Sequence, residues 1–229
     1  MDIYINIYGT INIGGLEIWI TDTIISTWIV MGVLIALAIT VRVKIKNFKD
    51  VPTGFQNVIE GLVELFDNYL RTTVGDKLMF LGNWFFTVFA FILVSNIGGV
   101  FPGFRPPTAD WSMTVAIAIV TFVLIHVIAL RYRGMEYVAS FFKPIFLFLP
   151  LNIIGELARP ISISFRLFGN LLAGLVMMTL IYEITPIVTR FIIPAALHLY
   201  FDLFAGILQC FIFCTLSLSF IAASSQPDV

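Results

Sequence analysis

Charge is what this chain has least of. Only 12% of its 229 residues are Asp, Glu, Lys or Arg, about half the share usual in a soluble domain. Asp and Glu are absent altogether from residue 157 to residue 182. The balance of 13 basic and 14 acidic residues leaves no positive excess to hold a phosphate backbone, so nucleic acid is excluded as a partner. Cysteine is limited to Cys210 and Cys214, one helical turn apart in an apolar run. Two thiols cannot make a four-ligand metal site, and they read as reduced packing residues. No G-x-x-x-x-G-K-[ST] loop is present, so no nucleotide site and no cofactor is expected. The N-terminus carries Asp2 and no basic cluster, so the first apolar segment is expected to remain in the mature protein.

What fills the chain instead is hydrocarbon. Hydrophobic residues make up 59% of it, and mean hydropathy is +1.00. The fold class expected is an all-α polytopic membrane protein with five crossings and one amphipathic surface helix. After an outer N-terminal segment, 1–22, the spans fall at 23–41, 79–100 and 112–130, followed by two long arms at 145–185 and 188–223, each apolar for longer than a bilayer requires. Residues 52–70 differ: Glu60, Glu64 and Asp67 recur at helical spacing on one side, and Phe55, Ile59, Leu62, Val63, Phe66 and Leu70 on the other. That pattern is an amphipathic helix on the inner surface or a short soluble linker helix. Arg42, Lys44, Lys46, Lys49, Arg71, Lys77, Arg131, Arg133 and Lys143 all flank one side, against Arg105 and Arg190 on the other. The positive-inside rule then puts the N-terminus outside and the C-terminus inside.

The last two arms run to about 60 and 55 Å as helices, against a hydrocarbon core of about 30 Å. Strong tilt, bending or a break is required, and Pro160, Pro186 and Pro194 offer places for it. Arg166 lies inside the first of these arms. A guanidinium cannot escape burial by deprotonating, so a charge kept at such depth points to function. The bland alternative is an Arg that snorkels to the headgroups or pairs structurally.

The residues around Arg166 carry a family resemblance. The run Arg159-Pro160-Ile161-Ser162-Ile163-Ser164-Phe165-Arg166-Leu167-Phe168-Gly169-Asn170, with Gln209-Cys210-Phe211-Ile212-Phe213 and Pro107-Thr108-Ala109-Asp110, resembles subunit a of the F-type ATP synthase membrane sector. The resemblance implies a stator beside a rotating ring of c subunits, with b-type peripheral stalk subunits, the remaining synthase subunits and the lipid bilayer as partners. It also implies a bacterial plasma membrane location. By it, Arg166 is the essential Arg facing the ring carboxylates, and Gln209 the Gln opposite it. Many bacterial members carry Glu nine residues after the Arg and His seven before the Gln; here those positions are Leu175 and Asp202. Mitochondrial members place a Glu at the second position. The outer-channel acid is thus expected on the last helix.

Helical geometry adds an independent expectation. If the two arms form an antiparallel hairpin with Arg166 level with Gln209, the turn falls within Thr185–Arg190, which contains Pro186. Asp202 then lies about 10 Å outward of the Arg level, Glu156 about 15 Å inward, and Glu183 about 25 Å outward. Glu156, Arg159, Ser162, Arg166 and Asn170 share one face of the first arm; Ala195, His198, Asp202, Ala205 and Gln209 share one face of the second. Candidate ion-path residues are therefore Asp202, Gln209, Asn170, His198, Glu156, Glu183 and Asp110. Glu156 fits equally a plain i,i+3 pair with Arg159, His198 fits simple packing, and Asp110 fits an N-cap for the third span. Two rival classes have less support. A secondary transporter predicts internal repeats, which the two halves lack, and an intramembrane enzyme needs a nucleophile and base at suitable spacing.

Overall fold

The computed structural model describes residues 7–13, 16–99, 101, 104–143, 145–184, 197 and 199–225. Within these, the chain is helical apart from one hairpin. Five helical stretches are long and apolar enough to cross a bilayer: Asp22–Lys44, Asp76–Gly98, Trp111–Arg133, Phe146–Ile184 and Leu199–Ser225. Helices suit this composition because each satisfies its own backbone hydrogen bonds where no water can.

The hairpin pairs β1 (Ile7–Ile13) with β2 (Leu16–Thr21), antiparallel, with Thr10 opposite Trp19 and Asn12 opposite Glu17. It feeds directly into α1 (Asp22–Lys44), which opens on an acid and closes on Arg42 and Lys44, charges that complement the helix dipole. Only Ser26 and Val30 of α1 are buried, so nearly all its circumference is left for lipid.

The amphipathic segment forms α2 (Phe55–Val74). Glu60, Glu64 and Asp67 are exposed, and Phe66 and Leu70 enter the core. Gln56 pins the approach to this helix. Its Oε1 accepts from the Lys49 amide (3.0 Å), while its Nε2 donates to the Lys49 carbonyl (2.7 Å) and to Glu60 (2.8 Å). At the far end of α2, the Tyr69 hydroxyl donates to Thr215 Oγ1 at 2.6 Å.

Two more spans follow. They are α3 (Gly82–Gly98), entered through a tight turn at Asp76–Leu81, and α4 (Trp111–Arg133). Gly134, at φ +57°, ends α4 and turns the chain into the short α5 (Met135–Ser140), a backbone conformation that suits glycine. Next comes α6 (Leu149–Ile184), 36 residues without interruption, or about 54 Å. Pro160 lies inside it. It makes no break, since the helix is continuous through it; the cost is one missing N–H, so the Glu156 carbonyl has no helical donor four residues on. After a π-helical stretch, Leu199–Phe204, α7 (Ala205–Ser225) completes the bundle. The expected turn at Thr185–Arg190 lies outside the described residues.

The core is built mainly from α3, α4, α6 and α7. Phe85, Ile92, Leu167, Leu218 and Ile221 have no exposed surface. α3 and α7 run antiparallel at close range. The Cys210 thiol donates to the Phe89 carbonyl (3.0 Å), Cys214 approaches the Phe85 carbonyl (4.0 Å), and Asn96 Nδ2 donates to the Gly206 carbonyl (3.0 Å). A Cβ at Gly206 would stand 2.9 Å from the Asn96 Cβ, so this crossing depends on a missing side chain. Gly206→Val is expected to push α3 and α7 apart and destabilise the protein by about 1–3 kcal/mol. Thermal unfolding of the purified complex checks this; an unchanged midpoint would mean the crossing tolerates a branched side chain.

Candidate functional site

Proximity of Glu156 to Arg159 follows from their i,i+3 spacing on α6, and the structure forms that pair. Arg159 Nη1 stands 2.9 Å from Glu156 Oε2. The approach is off-axis, so Oε2 accepts no aligned hydrogen bond and is otherwise shielded. The Arg159 guanidinium also lies 5.0 Å over the Phe220 ring of α7, a cation–π contact. Around the pair opens a cavity of about 340 Å³, lined among others by Tyr137, Ser140, Lys143, Asn152, Glu156 and Arg159. Asn152 closes one wall by donating to the Phe141 and Lys143 carbonyls. Tyr137 is buried beneath it. Burial pushes its phenol up from the ordinary value; the Glu156 carboxylate adds to that, while Arg159 and Arg133 pull the other way.

Seven residues on from Arg159, or about two helical turns, Arg166 occupies the middle of α6 and is exposed. Its side of the helix also presents Ser162, Phe165, Leu172 and Ala173, while Ile163, Ser164, Leu167 and Leu171 face the core. Ser164 is 2% exposed and donates to the Ile161 carbonyl, on the side away from the Arg, as its spacing implies. Among the described residues, Arg166 has no hydrogen bond and no ion pair.

The register between the last two arms can be read from two contacts. Asn170 Nδ2 donates to the Ala205 carbonyl at 3.4 Å, and a Cβ on Gly174 would meet the Phe201 Cβ at 3.4 Å. In both pairs the residue numbers add to the same total, as antiparallel helices require. Arg166 and Gln209 add to that total too, so the same register carries them to one level. Gln209 is buried, at 5%, and does not bond to Arg166.

Asp202 falls within the π-helical stretch, a form that frequently accompanies function; its side chain and the whole of His198 lie outside what the structure describes. Glu183 is exposed near the end of α6. Asp110 accepts from the Ser112 amide at 2.9 Å as the N-cap of α4, and also borders a cavity of about 390 Å³ with Thr21, Thr27 and Ser112. Two residues not singled out from sequence enter here, Asn96 and Tyr137. Asn96 is buried, as is Thr108 of the Pro107-Thr108-Ala109-Asp110 run, and the Thr108 hydroxyl donates to Asn96 Oδ1 at 2.9 Å. An uncharged Asn inside an apolar run was a readable signal, whereas Tyr137 stood among many aromatics.

Fold and site together define a polytopic helical membrane protein that carries an exposed cation halfway along its longest helix. The chain belongs to the ATP synthase A chain family, whose model matches residues 24–222. It is 37% identical over 221 residues to the sodium ion specific ATP synthase subunit a of Propionigenium modestum, covering 90% of this chain and 74% of that one. It is 35% identical over 211 residues to the ATP synthase subunit a of Desulfosudis oleivorans, covering 89% and 87%. Against that of Geobacter sulfurreducens it is 33% identical over 213 residues, covering 90% and 88%. Membership makes the chain a membrane stator subunit of an F-type ATP synthase complex. Within that subunit, Asn96→Leu is expected to strand the buried Gly206 carbonyl and cost about 1–3 kcal/mol. The loss reads out as a lower unfolding temperature, and retention of wild-type stability would contradict it.

Proposed function

We propose that this subunit carries an ion between the two sides of a bacterial plasma membrane through two offset half-channels, with Arg166 as the barrier between them. The observation that carries this reading is the state of Arg166: an exposed guanidinium on an apolar helix face, with no partner among the described residues. Such a charge in lipid is expensive. It calls for an anion from outside the chain, and the carboxylate of a passing c-ring subunit is that anion. A fixed cation favours the ionised form of that carboxylate and repels protons and Na⁺ alike, so the two paths do not join.

The N-terminus is outside in this reading, and the basic ends of α1 and α4 lie inside. Ions reach the ring past Asp202 from outside and leave past Glu156 toward the inside. The common register of Asn170 with Ala205 and Gly174 with Phe201 supports placing Asp202 outward of Arg166 and Glu156 inward. The polar cavity at Glu156 supports an aqueous inner path. Asn170 holds the two arms level, Gln209 lies on the ion path at the level of Arg166, His198 and Glu183 belong to the outer route, and Asp110 borders its rim. The b-type stalk subunits hold this chain against the torque of the ring.

Arg166→Ala is expected to reduce ion-driven ATP synthesis in membrane vesicles to background while the complex still assembles. Synthesis at normal rates would remove Arg166 from the role. Asp202→Asn is expected to slow ATP synthesis without opening a leak, because it removes a relay and leaves the barrier in place. Transport measured with a pH-sensitive dye and with ²²Na⁺ identifies the ion.

A further inference from the structure

Two oxygens at the Glu156 cavity are left over. Among the described residues, the buried Tyr137 hydroxyl has no hydrogen-bond partner, and Glu156 Oε2 is buried with only the off-axis Arg159 pair. One of these atoms is a donor and the other an acceptor. Both residues line the same cavity, yet no hydrogen bond joins them. Buried polar groups seldom stay unsatisfied, and a polar cavity of about 340 Å³ has room for several waters. A third polar group belongs to the same place, because Pro160 deprives the Glu156 carbonyl of its helical donor.

We infer that Tyr137 is a positioning residue of the inner ion path: its hydroxyl donates to a water that in turn donates to the Glu156 carboxylate. The inference rests on the reading of Glu156 as the inner relay and names the group that orients it. Tyr137 is well placed to act as a fixed post. Its ring is wedged edge-on against His126 of α4, at 5.9 Å between centroids, and against Phe141, at 5.2 Å. His126 is itself anchored, with Nδ1 2.9 Å from the Phe122 carbonyl. The Arg133 guanidinium stands 5.9 Å from the Tyr137 ring. The titratable and charged groups around the hydroxyl are thus His126 and Arg133 from α4, Lys143 from the following loop, and Glu156 and Arg159 from α6. Arg159 is the ion-pair partner that holds the carboxylate in place, and the water supplies the aligned hydrogen bond that the pair lacks.

The test uses the intact synthase in inverted vesicles, where the medium sets pH on the inner side. Tyr137→Phe keeps the ring packing and removes only the hydroxyl. ATP-driven ion uptake, followed with a pH dye and with ²²Na⁺, is expected to fall about fivefold, the effect of one lost hydrogen bond, with the amount of assembled complex unchanged. In a Glu156→Gln background, Tyr137→Phe is expected to add nothing, because the two act through one water. Wild-type uptake in Tyr137→Phe overturns the inference. So does an equal loss in both backgrounds, which marks a packing role, and so does wild-type uptake in Glu156→Gln. If Arg166→Ala abolishes coupling while Tyr137→Phe behaves as wild type, only the Tyr137 assignment falls.

Discussion

Two neighbouring backbone carbonyls, those of Ala205 and Gly206, take side-chain donors from two different helices. Asn170 of α6 reaches the first and Asn96 of α3 the second. They stand at the first residues of α7, where the π-helical stretch gives way to regular helix. A change of helical pitch disturbs the ladder of carbonyls and amides there, and inside a membrane no water is at hand to satisfy a stray acceptor. The two amides do that work, and in doing so they fix the axial position of α7 against both neighbours. The level of every charged group along α6 and α7 follows from that position.

The polar groups of this bundle are arranged by how much neutralisation each receives within the chain. Glu156 and Arg159 neutralise one another. Thr108, Asn96 and Gly206 form a closed set of hydrogen bonds. Arg166 alone among the acids and bases singled out on the described part of α6 and α7 is exposed at mid-helix with no balancing charge among the described residues, whereas Glu183 is exposed at a helix end. A helix that places its pairs inward and one cation outward has a directed surface, with the flat, small-residue face around Ser162, Gly169 and Ala173 allowing another helix to come near.

Much of this is legible in the sequence alone. The spans are long apolar runs, and apolar length is a one-dimensional property. The axial pairing of the two arms could be anticipated because helical rise is constant, so matching one pair predicts the others; Asn170 with Ala205 and Gly174 with Phe201 follow the same count. The Glu156–Arg159 pair is likewise local. The N-terminal hairpin lies in the stretch assigned only as an outer segment, 1–22, although Gly14-Gly15 separates two alternating runs there and alternation is a strand signal. Pro160 was read as a place for a bend or break, and of the two the break is absent, because α6 runs on through it. Tyr137 and its cavity were not legible at all. They depend on how α5 folds back beneath α6, a long-range relation that no local pattern encodes.

The two thiols of the chain have a consequence beyond packing. Cys210 and Cys214 are both buried, both turned to carbonyls of α3, and no other cysteine exists in the sequence. Oxidants attack thiols they can reach, and both of these are closed off by packing. Thiol oxidation therefore has no entry point on this subunit: a burst of peroxide finds no accessible sulfhydryl to cap, couple or overoxidise.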